Sequence, residues 1–145
     1  MSITASGLYG LTIEKYLNNG AALNLEAEDL KVALVTDTHT PDFNAHDFYA
    51  DLTNEIGSGG GYTTGGAVMT GTELTISGGV LTYDATDVAW ASSTITSAMA
   101  GVGYHDTVTD ELAFLSDFVT AVSTTGGTLT IVWNASGIFT LDFTP

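Results

Sequence analysis

The stretch "TNEIGSGGGYTTGGA", Thr53 to Ala67, decides the fold, because a glycine run of this density serves three different architectures. Six of its fifteen residues are glycine. A phosphate-cradling P-loop requires Gly-x4-Gly-Lys-Ser/Thr, with the lysine on the phosphates, and this stretch has no lysine. A dinucleotide-binding loop follows a strand and opens a long helix, whereas here "AVMTGTELTIS" follows, with the alternation of a strand. A flexible linker needs a domain on each side, and too little chain precedes this one. The reading that remains is a wide turn inside a β protein. Glycines there take positive φ at no steric cost, Tyr62 anchors the turn, and Gly65 and Gly66 serve backbone geometry ahead of the next strand.

The pattern around the turn is consistent with that reading. "LKVALVT", Leu30 to Thr36, reads as a buried strand. "TELTIS" alternates Leu74 and Ile76 with Thr75 and Ser77, and Gly78–Gly79 then marks a hairpin into "VLTYDATDVAW". "STITSAMAGVGYHD" sets Ala98, Ala100, Val102 and Tyr104 on one face, and a polar turn over Asp106 to Asp110 leads into "ELAFLSDFV". "GGTLTIVW" aligns Leu129, Ile131 and Trp133, and after a turn at "NASG" the run "IFTLDF" aligns Phe139, Leu141 and Phe143. Seven or eight short strands with turns every ~8–12 residues are the pattern of a sandwich or barrel. The one helical segment is Leu8 to Leu17, stopped by "NNG" at Asn18 to Gly20. The expected architecture is a single all-β domain over residues 1–145. It comprises an N-terminal helical segment or arm at 1–23 and a β-sandwich, Ig-like or jelly-roll-like, at 24–145.

Charge narrows the partners. Seventeen acidic residues stand against two lysines, Lys15 and Lys31, with no arginine, for a net charge of −15. Nucleic-acid binding draws its affinity from Lys and Arg neutralising phosphates, so neither DNA nor RNA is expected as a partner. Anionic membranes are disfavoured for the same reason, and no run approaches the ~18 apolar residues of a membrane span. Without cysteine there is no disulfide and no thiolate site. The first twenty residues lack a basic region followed by an apolar run, which predicts no secretory signal. The expectation is a soluble chain made in the host cytoplasm, with scattered acids keeping its surface solvated.

No residue set in the sequence reads as a catalytic or cofactor site. His39 and His46 flank Asp42 beside Asp47, but a seven-residue spacing across a proline-containing loop is unlike the tight ligand pairs of zinc sites. Surface loop histidines are expected. Asp84 and Asp87 in "YDATDVAW" lack the Asp-x-Asp-x-Asp-Gly pattern of a calcium loop and read as a solvated strand face. No serine sits in Gly-x-Ser-x-Gly. Trp90 and Trp133 end apolar runs, as core pieces or as interface anchors. No catalytic residue, metal or cofactor is expected.

Four segments in order, "VALVTDTHTPD", "LTNEIGSGGGYTTGGA", "YDATDVAWASSTIT" and "WNASGIFTL", resemble a group of small virion proteins of tailed phages. The likeness covers nearly the whole chain and is specific as an ordered set. It implies a capsid decoration (cement) or minor structural protein on the outer surface of the head, and no catalytic residues to carry over. It further implies binding to the major capsid protein lattice as a homo-oligomer, with a trimer favoured. The alternatives are a tail or neck component, or a carbohydrate-binding module at the virion surface that uses Tyr62 or Trp90 as an aromatic platform.

Overall fold

The computed structural model describes residues 3–20, 23–26, 30–107 and 110–144. The fold is all-β and sandwich-like, with one short helix near the N-terminus. Its centre is β2 (Leu30–Thr36), whose run Val32–Val35 is buried without alternation because both faces are covered. Antiparallel neighbours complete a five-stranded sheet in the order β1-β8-β7-β2-β3. These are β1 (Gly7–Leu8), β3 (Ala67–Val68), β7 (Ala98–His105) and β8 (Leu112–Val122).

Leu30, Val32 and Leu34 face two smaller sheets. One is three-stranded, in the order β10-β5-β4, from β4 (Glu73–Ser77), β5 (Val80–Asp84) and β10 (Phe139–Asp142). The other pairs β6 (Val88–Ser93) with β9 (Gly127–Ile131). Tyr83, Trp90, Leu129, Ile131 and Trp133 fill the space between the layers. Gly103 lets β8 come close, since a Cβ there would lie 2.3 Å from the Phe114 ring. The opposite face of the large sheet, with Ala33, Val35, Ala100 and Val102, is covered by Ile3, Tyr9 and the loop side chains of Phe43, Tyr49 and Leu52.

Among the described residues ten strands are found, against the seven or eight expected. Two of them, β1 and β3, are two-residue pairings too short to leave a periodic signal. The run "VLTYDATDVAW" divides at Ala85–Asp87 into β5 and β6, which belong to different sheets. The one-face reading of β7 also fails at Ala98. A bulge between Ala98 and Ala100 turns Ala98 into the cluster with Trp90, while Ala100, Val102 and Tyr104 stay on the other side. A bulge adds a residue and re-aims the side chains beyond it.

The helix α1 (Gly10–Asn18) starts two residues later than expected, because Gly7 and Leu8 pair with Leu115 and Phe114. It stops where Asn19 takes a left-handed conformation, φ 55°, and the Gly20 N–H reaches back to the Lys15 carbonyl at 3.1 Å. The boundary expected at 23/24 adjoins residues 21–22, and the expected polar turn after Asp106 includes residues 108–109. Both pairs lie outside the described residues.

Among the described residues, apolar side chains stand open at several places, two of them on the three-stranded sheet and on β8. The three-stranded sheet sets Leu74, Ile76, Leu81, Tyr83, Phe139 and Leu141 on one face by register. That face runs from fully buried Tyr83 out to Ile76, which is 68% exposed. On β8, Ala100 pairs with Asp117 but Ala98 pairs with Val122, so residues 118–121 bulge outward. Among them Val119 is 80% exposed and at φ 65°, a conformation rare for a β-branched residue. Its N–H is bonded by the Asp117 carboxylate at 2.8 Å.

Candidate functional site

The glycine-rich stretch is a rigid turn clasped by one carboxylate. Gly59 and Tyr62 exchange backbone hydrogen bonds at 2.9 and 3.0 Å, with Gly60 and Gly61 between them at positive φ. Two central residues at positive φ are what a type I′ turn requires. The turn docks sideways on the residues after β6, where the Thr94 N–H donates to the Gly60 carbonyl at 2.6 Å.

Tyr62 reaches inward from this turn. It is buried, its ring lies 5.8 Å from that of Trp90, and its hydroxyl accepts the Leu34 N–H at 2.9 Å. The same hydroxyl donates to Glu55 Oε1 at 2.7 Å, and the Gly65 N–H donates to that oxygen at 2.7 Å. Tyr49 donates to the other carboxylate oxygen, and the Tyr104 hydroxyl closes the ring on the Gly65 carbonyl at 2.8 Å. A hydrogen bond to a charged group contributes about 1.5–3 kcal/mol. Burial pushes the Tyr62, Tyr49 and Tyr104 hydroxyls well above their ordinary range, so all three remain protonated donors.

Gly66 fixes the exit of the turn. Its φ is 76°, and a Cβ there would lie 1.8 Å from the Val32 carbonyl oxygen. At Gly65, φ 98°, the nearest atom would be the Tyr104 hydroxyl at 3.4 Å. The sequence singled out Tyr62, Gly65 and Gly66 and missed Glu55. A lone acid directly before an apolar residue and a glycine run was the signal available.

Of the two loop histidines expected at the surface, His46 is half-buried and partly open to solvent, whereas His39 is not. His39 and His105 are fully buried. His39 Nδ1 meets the Thr53 N–H at 3.3 Å and the Thr53 hydroxyl at 3.1 Å. Burial, and secondarily the His46 ring centred 6.1 Å away, lower the His39 pKa. No group of three or more potential metal ligands occurs among the described residues. His105 shares a 2.5 Å hydrogen bond with Tyr16 of α1. Beside it Lys15 pairs with Asp47 at 3.2 Å and with buried Glu111 at 3.3 Å, and caps the Phe48 ring at 4.3 Å. These contacts fasten α1 to the end of β7, to Glu111 just before β8 and to the 37–55 loop. Lys31 pairs with Asp106 at 2.8 Å, so both cations of the chain are engaged internally.

Trp90 and Trp133 lie in the core at 6% and 8% exposure. Asp87 is not simply solvated: its carboxylate accepts the Trp133 N–H at 2.9 Å, and Trp133 Nε1 donates to the Thr86 carbonyl at 3.1 Å. Asp84 accepts the N–H of Ala85 at 2.9 Å. With Tyr62 and Trp90 both buried, neither can serve as a platform for stacking a sugar. No helix among the described residues is long and apolar enough to cross a membrane. Among the described residues, the apolar side chains left open to a partner include Ile76 on the three-stranded sheet and Val119 on β8. The chain matches no family model, no curated protein and no solved structure.

Proposed function

We propose that this protein is a structural component of a tailed-phage virion that decorates the head and cements neighbouring major capsid subunits. The observation that carries the reading is the ordered resemblance of four segments spanning nearly the whole chain. Those segments coincide with the joints of the fold: the central strand β2, the Glu55-clasped turn, the β5–β6 crossover and the turn into β10.

The two apolar surfaces suit the mechanism. They sit on different elements, so one molecule can touch two subunits at once. Each contact can be weak, because bridging makes the second contact intramolecular and multiplies the two through effective concentration. Assembly as a homo-oligomer, with a trimer favoured, would multiply the contacts again. The acidic remainder of the surface keeps the exposed side solvated. The test compares heads with and without the protein by thermal release of the genome. The proposal predicts release at a higher temperature when the protein is present. Equal release temperatures would remove the cementing role.

A further inference from the structure

Residues 37–54 leave the end of β2 and come back beside it, and a few bonds close the neck of this loop. The Thr36 N–H donates to the Asn54 carbonyl at 3.0 Å, and Asn54 Nδ2 donates to the Thr38 carbonyl at 3.1 Å. His39 sits between the two sides of the neck. Its own N–H donates to the Thr36 carbonyl at 3.1 Å, its Nδ1 meets Thr53 from the other side, and its ring is fully buried. Further along, the loop is pinned independently. The Leu112 N–H donates to the Asp47 carbonyl at 2.9 Å, and Lys15 pairs with the Asp47 carboxylate.

The neck has no place for a charged imidazole. Nε2 of His39 is buried with no hydrogen-bond partner among the described residues. Protonation places a hydrogen on both ring nitrogens, so the Nε2–H would face no acceptor and the Nδ1–H would confront the Thr53 N–H. A buried donor left unsatisfied costs most when its group is charged. The charge that acts on this ring is that of His46, centred 6.1 Å away, and two cationic rings repel. Thr53, across the neck, is uncharged. Among the loop's carboxylates, Asp51 interacts with His46, Asp42 donates its backbone N–H to His46 Nδ1 at 3.3 Å, and Asp37 precedes His39 by two residues in the chain.

We propose that His39 and His46 form an acid-sensitive latch, in which protonation of His39 parts the neck of the 37–54 loop while the sheets stay folded. With the neck closed, burial and then His46 hold the His39 pKa below its ordinary 6.5. With the neck open, the ring reaches water and takes up its proton near that ordinary value. Acid therefore favours the open neck, by up to about thirtyfold at pH 5 relative to neutral pH, and the effect vanishes above about pH 7. Opening stays local because Thr38, Thr53 and Asn54 already lie at the surface and the Asp47 contacts hold the rest of the loop. The proposal rests on the loop and not on the virion assignment.

The experiment follows the full chain by NMR from pH 7.5 to 5, reading the histidine ring shifts and amide hydrogen exchange corrected for intrinsic rates. The expected result is a loss of protection of about tenfold or more at the Thr36 and Thr53 amides by pH 5, with amides at the centre of β7 unchanged. His39→Asn, which offers Thr53 a polar partner but cannot ionise, should abolish that pH dependence. His46→Gln, at a half-buried position, should raise the pH at which His39 titrates, and this readout stands even where His39→Asn folds poorly. Undiminished protection at the neck down to pH 5 would overturn the proposal, as would the same loss in His39→Asn. Simultaneous loss at the neck and in β7 would replace the latch by global unfolding, and an unmoved His39 titration in His46→Gln would break the pairing of the two rings.

Discussion

Gly66→Ala should be far more damaging than Gly65→Ala, although the two glycines are adjacent and both have positive φ. Each alanine takes on the left-handed penalty of about 1–2 kcal/mol. At Gly65 little else follows, because the new Cβ meets only the Tyr104 hydroxyl at 3.4 Å. At Gly66 the Cβ would sit 1.8 Å from the Val32 oxygen, 2.5 Å from its carbonyl carbon and 2.8 Å from Ala33 Cα. All three are backbone atoms of the central strand, so no side chain can swing away. Relief requires the turn to lift off β2, which strains the Val32–Ala67 pairing and the Gly65 contacts to Glu55 and Tyr104. Overpacking of this kind adds about 1–3 kcal/mol, and loosened hydrogen bonds about 0.5–1.5 each. Gly66→Ala should therefore cost about 3–5 kcal/mol and Gly65→Ala about 1–2. For a chain near this length, 1 kcal/mol moves the melting temperature by about 2–4 °C. Urea unfolding followed by tryptophan fluorescence measures both variants directly. Equal costs, within ~0.5 kcal/mol, would refute the claim that the turn is pinned against β2. Full stability in both with loss of partner binding would make the loop an interface.

Removing the clasp itself, by Glu55→Ala, should cost about 2–4 kcal/mol, since three donors lose a charged acceptor; amide exchange at Gly65 should speed up in parallel, and unchanged exchange would deny the clasp its role. The His39 pKa is lowered from its ordinary 6.5, so below about pH 6.5 the unfolded chain takes up a proton that the folded chain resists. Stability should then fall with pH through this window more steeply in the wild type than in His39→Asn, and parallel pH profiles would contradict that. Val119→Gly should stabilise the chain by about 1 kcal/mol by releasing a strained φ at an exposed site; a loss of stability would show that the Val119 side chain packs in solution.

Much of the fold was legible because its signals are local. The unbroken apolar run of β2 announced a strand covered on both faces, and Leu129, Ile131 and Trp133 alternated as their burial requires. The β4–β5 hairpin followed from Gly78–Gly79, both at positive φ. What escaped depends on contacts between distant segments. The bulges that re-aim Ala98 and extrude Val119 are set by register against β8, which no local pattern encodes. His39 and His105 are polar in the sequence and buried in the fold, because the 37–55 loop and α1 fold over them. Glu55 looked like one more surface acid until the turn brought Tyr49, Tyr62 and Gly65 around it. The apolar groove between α1 and the three-stranded sheet, lined by Ile13, Tyr16, Leu81 and Leu141 among others, was likewise invisible, since helix and sheet lie more than fifty residues apart in the chain.

The central claim is a place in the head lattice, and copy number per virion tests it most directly. Quantitative mass spectrometry of purified particles, normalised to the major capsid protein, gives that number. A protein that cements the lattice should be present in hundreds of copies, in a fixed ratio to the capsid subunits. A handful of copies per particle would contradict the head assignment and move the protein to the tail or neck, and absence from purified particles would end the virion reading altogether.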